Sequence, residues 1–389
     1  RAPALQAGGR RFDPGWLHLT APERKAPRPF RVTRNSSPAA PAARAEILEE
    51  PSFGQHFTDH MVLIDWDREG GWHNERVEPL GPLPLHPAAG VLHYGQEVFE
   101  GLKVYRHADG RLFTFRPELN AARIRRSARR RALPEIPEEL FIESVDAMVA
   151  VDGEWVSSRA GDGLYLRPFL VATEAFLGVR PTDRCLFGVI ASPAGAYFAD
   201  GHEGVSLWLS IDLARAGKGG TGAAKCGGNY AASLLAQEEA KQHGCQQVLF
   251  TDAETNTWVE EAGSMNIWFA FADGRLVTPP TTGTILEGVT RASILTLAAE
   301  AGQRVEERPI SVDEWKSAAE AGELAEVFAS GTAAVITPIS SLVTEDGTIS
   351  TPTDGLGPVA ASLRDELIGI QTGQLPDRFG WLHQVGQSA

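Results

Sequence analysis

The stretch Thr221-Gly-Ala-Ala-Lys-Cys-Gly-Gly-Asn-Tyr230 puts one lysine among small residues, with two glycines and a tyrosine directly downstream. An amine that attacks a carbonyl carbon needs an uncrowded approach and surroundings that disfavour its charged form. Gly227 and Gly228 would let the backbone turn and lie close to a flat ligand, and Tyr230 would set a phenol beside it. Lys225 is the candidate nucleophile; a flexible loop carrying a solvated lysine is the alternative that the local sequence leaves open.

Other residue types could serve the same chemistry. Glu261 follows Glu260, and one carboxylate facing a protonated ring nitrogen would hold that proton through an ion pair. A hydrated acidic pair on the surface is the other reading. Arg123 stands one helical turn after Leu119, on the side that packs, and a half-buried guanidinium needs an anion, of which a ligand phosphate is one candidate. Gly288-Val-Thr290 opens a helix and offers backbone N–H groups and a hydroxyl as a phosphate seat; an ordinary threonine N-cap fits equally well.

Two motif matches fail on context. Gly217-Lys-Gly-Gly-Thr-Gly222 reads G-x-G-x-x-G, but a dinucleotide fingerprint needs its third glycine to enter a helix at once, and Ala-Ala-Lys-Cys-Gly-Gly intervenes. Lys218 is followed by glycine rather than Ser or Thr, which excludes a phosphate loop of Walker type. The arginines at 123, 125, 126, 129, 130 and 131 spread around most of a helix and, Arg123 apart, read as a solvated basic helix rather than a nucleic-acid patch.

The elements that must position these residues follow from apolar patterning. Strands are expected over 61–66, 111–115, 164–173, 185–192, 205–211 and 247–252, with a hairpin over 265–278. Helices are expected over 117–131, with Pro117 in the tolerated first turn, and over 137–151, 231–244 and 288–300. In the last of these Ile294, Leu297, Ala298 and Ala301 lie at core spacing. A Ser-Gly-Thr-Ala turn divides the apolar run 327–339. The expected organisation is a poorly structured extension over 1–45, a smaller N-terminal domain over 46–192, a linker over 193–202 and a larger C-terminal domain over 203–389, an α+β fold.

With 36 basic and 50 acidic residues among 389, the net charge of −14 disfavours nucleic-acid and anionic-membrane partners. No apolar run reaches membrane-spanning length. Cys185, Cys226 and Cys245 form no disulfide framework and have no metal-ligand spacing, which points to a reducing, cytoplasmic setting.

Taken together, His93-Tyr-Gly-Gln-Glu-Val-Phe-Glu-Gly-Leu-Lys103, Tyr165-Leu-Arg-Pro168, Ser192-Pro-Ala-Gly-Ala-Tyr-Phe198, Lys225-Cys-Gly-Gly-Asn-Tyr230, Glu261-Ala-Gly-Ser-Met-Asn266, Gly288-Val-Thr-Arg291 and Ser330-Gly-Thr-Ala333 resemble, in this order, the branched-chain amino acid aminotransferases. These are fold type IV pyridoxal-phosphate enzymes, and the texture is closest to actinobacterial members. The likeness spans about residues 53–385. It implies a two-domain α+β fold with pyridoxal 5'-phosphate between the domains, and ping-pong transamination of L-leucine, L-isoleucine and L-valine with 2-oxoglutarate.

By the same resemblance, Lys225 would bind the cofactor aldehyde covalently and, once released, carry the substrate proton. Glu261 would face the pyridine nitrogen and Tyr230 the ring's 3'-oxygen. Arg123, Ser264, Val289, Thr290 and Thr332 would hold the phosphate. Thr332 and Ala333 would take the α-carboxylate on their N–H groups; Phe99, Tyr165 and Tyr197 would form an apolar wall, and Arg167 would meet glutamate's distal carboxylate. Tyr94 would assist from the partner subunit of a homodimer, and the loop 177–179 would cross that interface. The redox C-x-x-C of some vertebrate members is missing, its places taken by Ala334 and Thr337. A D-amino-acid aminotransferase or an aminodeoxychorismate-type lyase is the rival within the fold, and a catalytically silent binding protein the rival outside it.

Overall fold

The computed structural model describes residues 29–159, 161–195, 204–353 and 355–386. The first part of the chain gives β1 (Arg31–Val32), α1 (Pro41–Glu49), β2 (His60–Asp67), β3 (Gly71–Pro79), α2 (Gly90–Tyr94), β4 (Glu97–Phe99), β5 (Leu102–Arg106), β6 (Leu112–Phe115), α3 (Pro117–Arg130), α4 (Glu138–Asp152), β7 (Gly163–Ala172) and β8 (Arg184–Ala194). The second gives β9 (Val205–Ser210), α5 (Gly227–Gln242), β10 (Gln247–Thr251), β11 (Val259–Ala262), β12 (Met265–Phe271), β13 (Arg275–Thr278), α6 (Val289–Glu300), β14 (Arg304–Glu307), α7 (Val312–Glu320), β15 (Leu324–Gly331), β16 (Val335–Thr344), β17 (Gly347–Ser350), α8 (Pro358–Gln371) and β18 (Leu382–Gln384).

Two sheets organise these elements. The first runs β1-β3-β2-β8-β7-β5-β6-β18, with β4 on β7. The second runs β11-β10-β9-β16-β15-β12-β13-β14, and the extra pairing of β11 with β12 closes β11, β10, β9, β16, β15 and β12 into a ring. Closure leaves those strands no free edge. β12 is buried along its whole length because both faces are covered. Its Met265, Ile267 and Phe269 join Val205, Leu207 and Leu249 on one side, while Trp268 and Ala270 pack with Phe328, Ile294 and Leu367 on the other. Alternation thus survives inside a continuous apolar run.

Several expectations are corrected. Residues 31–45 are not an unstructured tail: Arg31 and Val32 pair with Arg76 and Val77, and α1 begins at Pro41. The expected linker starts inside β8, which continues through Ala194; residues 196–202 lie outside the described residues. The C-terminal unit does not keep all of 203–389, since β18 returns to pair with β6 in the first sheet. α5 starts at Gly227, earlier than expected, and Ala301 is the exposed C-cap of α6 rather than core. Among the described residues no helix is long and apolar enough to cross a membrane.

Candidate active site

Lys225 precedes α5 and is held by its own peptide groups before its side chain is considered. Its N–H donates to Ser127 Oγ on α3 at 2.9 Å, and its carbonyl accepts from the Phe99 N–H at 3.0 Å. Nζ donates to the Tyr230 hydroxyl at 2.6 Å and sits 4.8 Å from the centre of the Phe99 ring. Burial, helped by the positive charge of Arg123, pushes the ammonium down to a pKa of about 8. This is the weakened charge that an attacking amine requires, and the bonds to Ser127, Phe99 and Tyr230 argue against a solvated lysine on a flexible loop. The glycines behave differently from expectation. A Cβ on Gly227 would come 2.8 Å from Glu97 Oε1, Gly228 has no neighbour within 4 Å, and neither glycine lines the cavity described next.

The lysine opens into a cavity of about 240 Å³ between the two sheets, lined by Arg123, Tyr230, Glu261, Thr290 and Thr332 among others. Glu261 is in register with Asn266, and Asn266 with Ser330, so one row crosses β11, β12 and β15 beneath it. Glu261 Oε1 accepts from the Leu286 N–H at 2.9 Å. Oε2 lies 2.7 Å from Arg215 Nη2 but makes no aligned hydrogen bond among the described residues. Complete burial pushes this carboxyl above the ordinary glutamate value, with Arg215 opposing. It is not half of a hydrated pair, since only 2% of it is exposed.

At another end of the cavity α6 begins. Its N-cap is Gly288, which has no side chain to cap the first turn, and Thr290 is inside the helix, so the threonine-cap reading is withdrawn. A Cβ on Gly288 would overlap Asn266 Oδ1. Val289, Thr290, Ser264 and Thr332 all line the cavity here. Arg123 arrives from the packed face of α3, already paired: Nε and Nη2 donate to Glu100 at 2.6 and 2.8 Å, and Nη1 to the Glu287 carbonyl at 3.0 Å. One N–H on each terminal nitrogen is left for a ligand. Burial pushes Glu100 up, but Arg123 and Asn120 outweigh it and hold the carboxyl below the usual glutamate value. The neighbouring arginines are consumed by partners, Arg126 by Glu287 and Arg129 by Glu135.

Phe99, Tyr165, Arg167 and Ala333 also line the cavity. Arg167 lies against the rings of Phe99 and Tyr165, at 4.9 and 5.3 Å, and its buried Nε has no hydrogen-bond partner among the described residues. Gly101 is dictated by Tyr165, whose hydroxyl occupies the place a Cβ would take. Tyr197 lies outside the described residues. Tyr94 does not line this cavity; its hydroxyl donates to the Leu177 carbonyl on the surface, where Leu177 and Val179 are 64% and 88% exposed.

Sequence reasoning gave no role to Phe53, Glu100, Arg215, Asn266 or Lys103. Phe53 meets Tyr165 edge-on at 4.8 Å within the cavity wall, and Lys103 Nζ donates to the Ala333 carbonyl at 3.0 Å. Single charges inside apolar runs, such as Glu100 after Val98-Phe99 and Lys103 after Leu102, were the available signal.

Residues 97–342 match the family model for class IV amino-transferases. The chain is 55% identical over 363 residues to the branched-chain-amino-acid aminotransferase of Mycolicibacterium smegmatis, covering 92% of this chain and 99% of that one. Its fold matches the crystal structure of the Escherichia coli branched-chain amino acid aminotransferase with a TM-score of 0.71 at 30% identity, over 84% of this chain and 99% of the other. The Thermobaculum terrenum branched-chain amino acid aminotransferase in its PLP form matches with a TM-score of 0.71 at 25% identity, over 86% and 100%. With Lys225 and Glu261 lining one cavity, the family match and these relatives place the protein in the class IV aminotransferases and, within them, among the branched-chain-amino-acid aminotransferases.

Proposed function

We propose that the cavity moves an amino group between L-leucine, L-isoleucine or L-valine and 2-oxoglutarate, in two half-reactions, with pyridoxal 5'-phosphate as cofactor. The observation that carries this reading is the convergence of Lys225 Nζ, the Tyr230 hydroxyl and Glu261 on one cavity. The residues fit the cofactor: a weakened amine for its aldehyde and, among the described residues, a carboxylate oxygen without an aligned partner for its ring nitrogen and a helix start without a side-chain cap, with spare arginine N–H groups for its phosphate. When bound, the cofactor supplies an aldehyde that takes the amino group and a protonated ring that absorbs electrons from the substrate Cα.

The chain's own residues do the rest. Lys225 takes the proton from Cα and returns it, because its amine is basic enough to accept and weak enough to release near pH 8. Glu261, backed by Arg215, keeps the ring nitrogen protonated. Tyr230 orients Lys225 and donates to the ring oxygen. Arg123, Ser264, Val289, Thr290 and Thr332 hold the phosphate, and the N–H groups of Thr332 and Ala333 take the α-carboxylate. Phe99, Tyr165 and Tyr197 accept the branched side chain, and Arg167 meets the carboxylate of glutamate.

The exposed Tyr94, Leu177 and Val179 favour a homodimer in which this face meets a second copy and Tyr94 of the partner subunit reaches the cavity. The free, buried Cys185, Cys226 and Cys245 suit a reducing cytoplasm. Assaying the two leucine enantiomers with 2-oxoglutarate tests the assignment: turnover of the L form alone is expected, and equal turnover of the D form would move the protein to the D-amino-acid enzymes.

A further inference from the structure

Glu97 does not line the cavity, yet the strand that carries it fastens the chain at Lys225 and again two residues beyond it. The Phe99 N–H donates to the Lys225 carbonyl at 3.0 Å, and two residues earlier on β4 the Glu97 carboxylate accepts from the Gly227 N–H. α5 begins at that glycine, and its N-cap, Cys226, makes no side-chain capping bond. The first N–H groups of a helix need acceptors from outside it. Here a carboxylate from another strand does what a capping Ser or Asp does elsewhere, with its charge toward the positive end of the helix.

Gly227 is the counterpart of this contact, since a Cβ there would come within 2.8 Å of Glu97 Oε1. Tyr230, whose hydroxyl takes the Lys225 hydrogen bond at 2.6 Å, stands on the same first turn. Asn229 secures the other side of the turn by donating to the Thr221 and Ala224 carbonyls, each at 2.8 Å. The phenol stands on the first turn of α5 and the amine two residues before it, so their relative position depends on the helix start, which is tied to β4 through Glu97.

We propose that Glu97 is a positioning residue for the transfer: it caps α5 from the neighbouring strand and fixes Lys225 and Tyr230 with respect to each other. This rests on the reading of Lys225 as the amine that binds the cofactor and carries the Cα proton. Without the carboxylate the first turn of α5 frays and Lys225 carries its proton from a displaced position, an error to which proton transfer is sensitive. Arg167, Tyr165 and the 332–333 turn are not on α5, so substrate binding is spared.

The test uses the cofactor-loaded enzyme and four variants: Glu97→Ala, Glu97→Gln, Gly227→Ala, and Glu97→Ala combined with Gly227→Ala. For Glu97→Ala we expect kcat to fall about tenfold or more with both leucine and glutamate, with KM unchanged and a displaced pH midpoint of the visible band. In the cofactor-free protein, amide hydrogens over 226–232 should exchange faster. Glu97→Gln keeps an acceptor oxygen and should recover most of the rate. Gly227→Ala should mimic Glu97→Ala alone, yet add no further loss when Glu97 is already alanine, because the new methyl enters vacated space.

Wild-type kcat and spectrum in Glu97→Ala would overturn the proposal, as would additive losses in the double variant. A lowered melting temperature with unchanged kcat, visible band and exchange would also overturn it, since Glu97 would then be only a stabilising contact. A wild-type protein that shows no visible band with pyridoxal 5'-phosphate would refute the lysine reading instead. The exchange experiment on the cofactor-free chain would still decide whether Glu97 caps α5.

Discussion

Lys225 Nζ and the Tyr230 hydroxyl lie 2.6 Å apart, with the amine donating. Burial moves their pKa values in opposite directions, the lysine down to about 8 and the tyrosine up to about 12. On raising the pH it is therefore the lysine that loses its proton first, and the phenol remains a donor throughout the working range.

That shift has a measurable cost in the cofactor-free protein. The unfolded lysine titrates near 10.5 and the folded one near 8, so between these values the unfolded chain binds more protons and stability rises with pH. Lys225→Met removes the cost. The variant should be more stable than wild type at pH 7 by up to about 3 kcal/mol, and the gap should close by about pH 10.5. Urea unfolding at both pH values checks this; a gap independent of pH would contradict it.

Glu261→Gln keeps the shape of the side chain and removes its charge. We expect the cofactor to remain bound while kcat falls about a hundredfold or more, the scale for losing a buried partner aimed at developing charge. Retained absorbance with near-normal turnover would remove Glu261 from its role.

Arg167 has a buried Nε without a hydrogen-bond partner among the described residues and stacks on the cavity's aromatic wall. Arg167→Ala should lower kcat/KM for glutamate about 10- to 100-fold, the worth of a charged hydrogen bond, and leave leucine much less affected. Steady-state kinetics with each amino donor decides it, and equal losses would mean that another group reads the distal carboxylate.

Glu100 and Arg123 form a buried pair in which Glu100 is 0% exposed. Glu100→Gln leaves the guanidinium without its counter-charge and should destabilise the cofactor-free protein by about 3 kcal/mol or more. Because the folded carboxyl lies below its usual 4.5, the stabilisation is present above that pH and is lost as pH falls through the folded value. Denaturation at pH 7 and pH 3 should show the difference between the two proteins shrinking in acid.

Lys225, Glu261 and Tyr230 could be singled out as candidates from the sequence because they fall in motifs that stand together in the family's order, and Arg123 from its place one turn after Leu119, although each local pattern alone left an alternative open. The start of α5 was not legible, because Gly227-Gly228 reads as a helix breaker while the space that excludes a side chain belongs to Glu97, far away in sequence. Arg215 and Glu100 escaped notice for the same reason. Each is an isolated charge whose partner, Glu261 or Arg123, becomes adjacent only when strands and helices meet. The closed ring depends on the parallel pairing of β9 with β16, distant in the chain, and no local periodicity encodes it.

The central claim is that Lys225 moves the substrate proton while the amino group passes from leucine to 2-oxoglutarate by way of pyridoxal 5'-phosphate. Titrating the purified, cofactor-loaded protein with L-leucine and then with 2-oxoglutarate, while recording the visible spectrum, tests it most directly. The first addition should discharge the band and the second should restore it, with Lys225→Ala showing neither change. A spectrum that leucine leaves untouched would contradict the account.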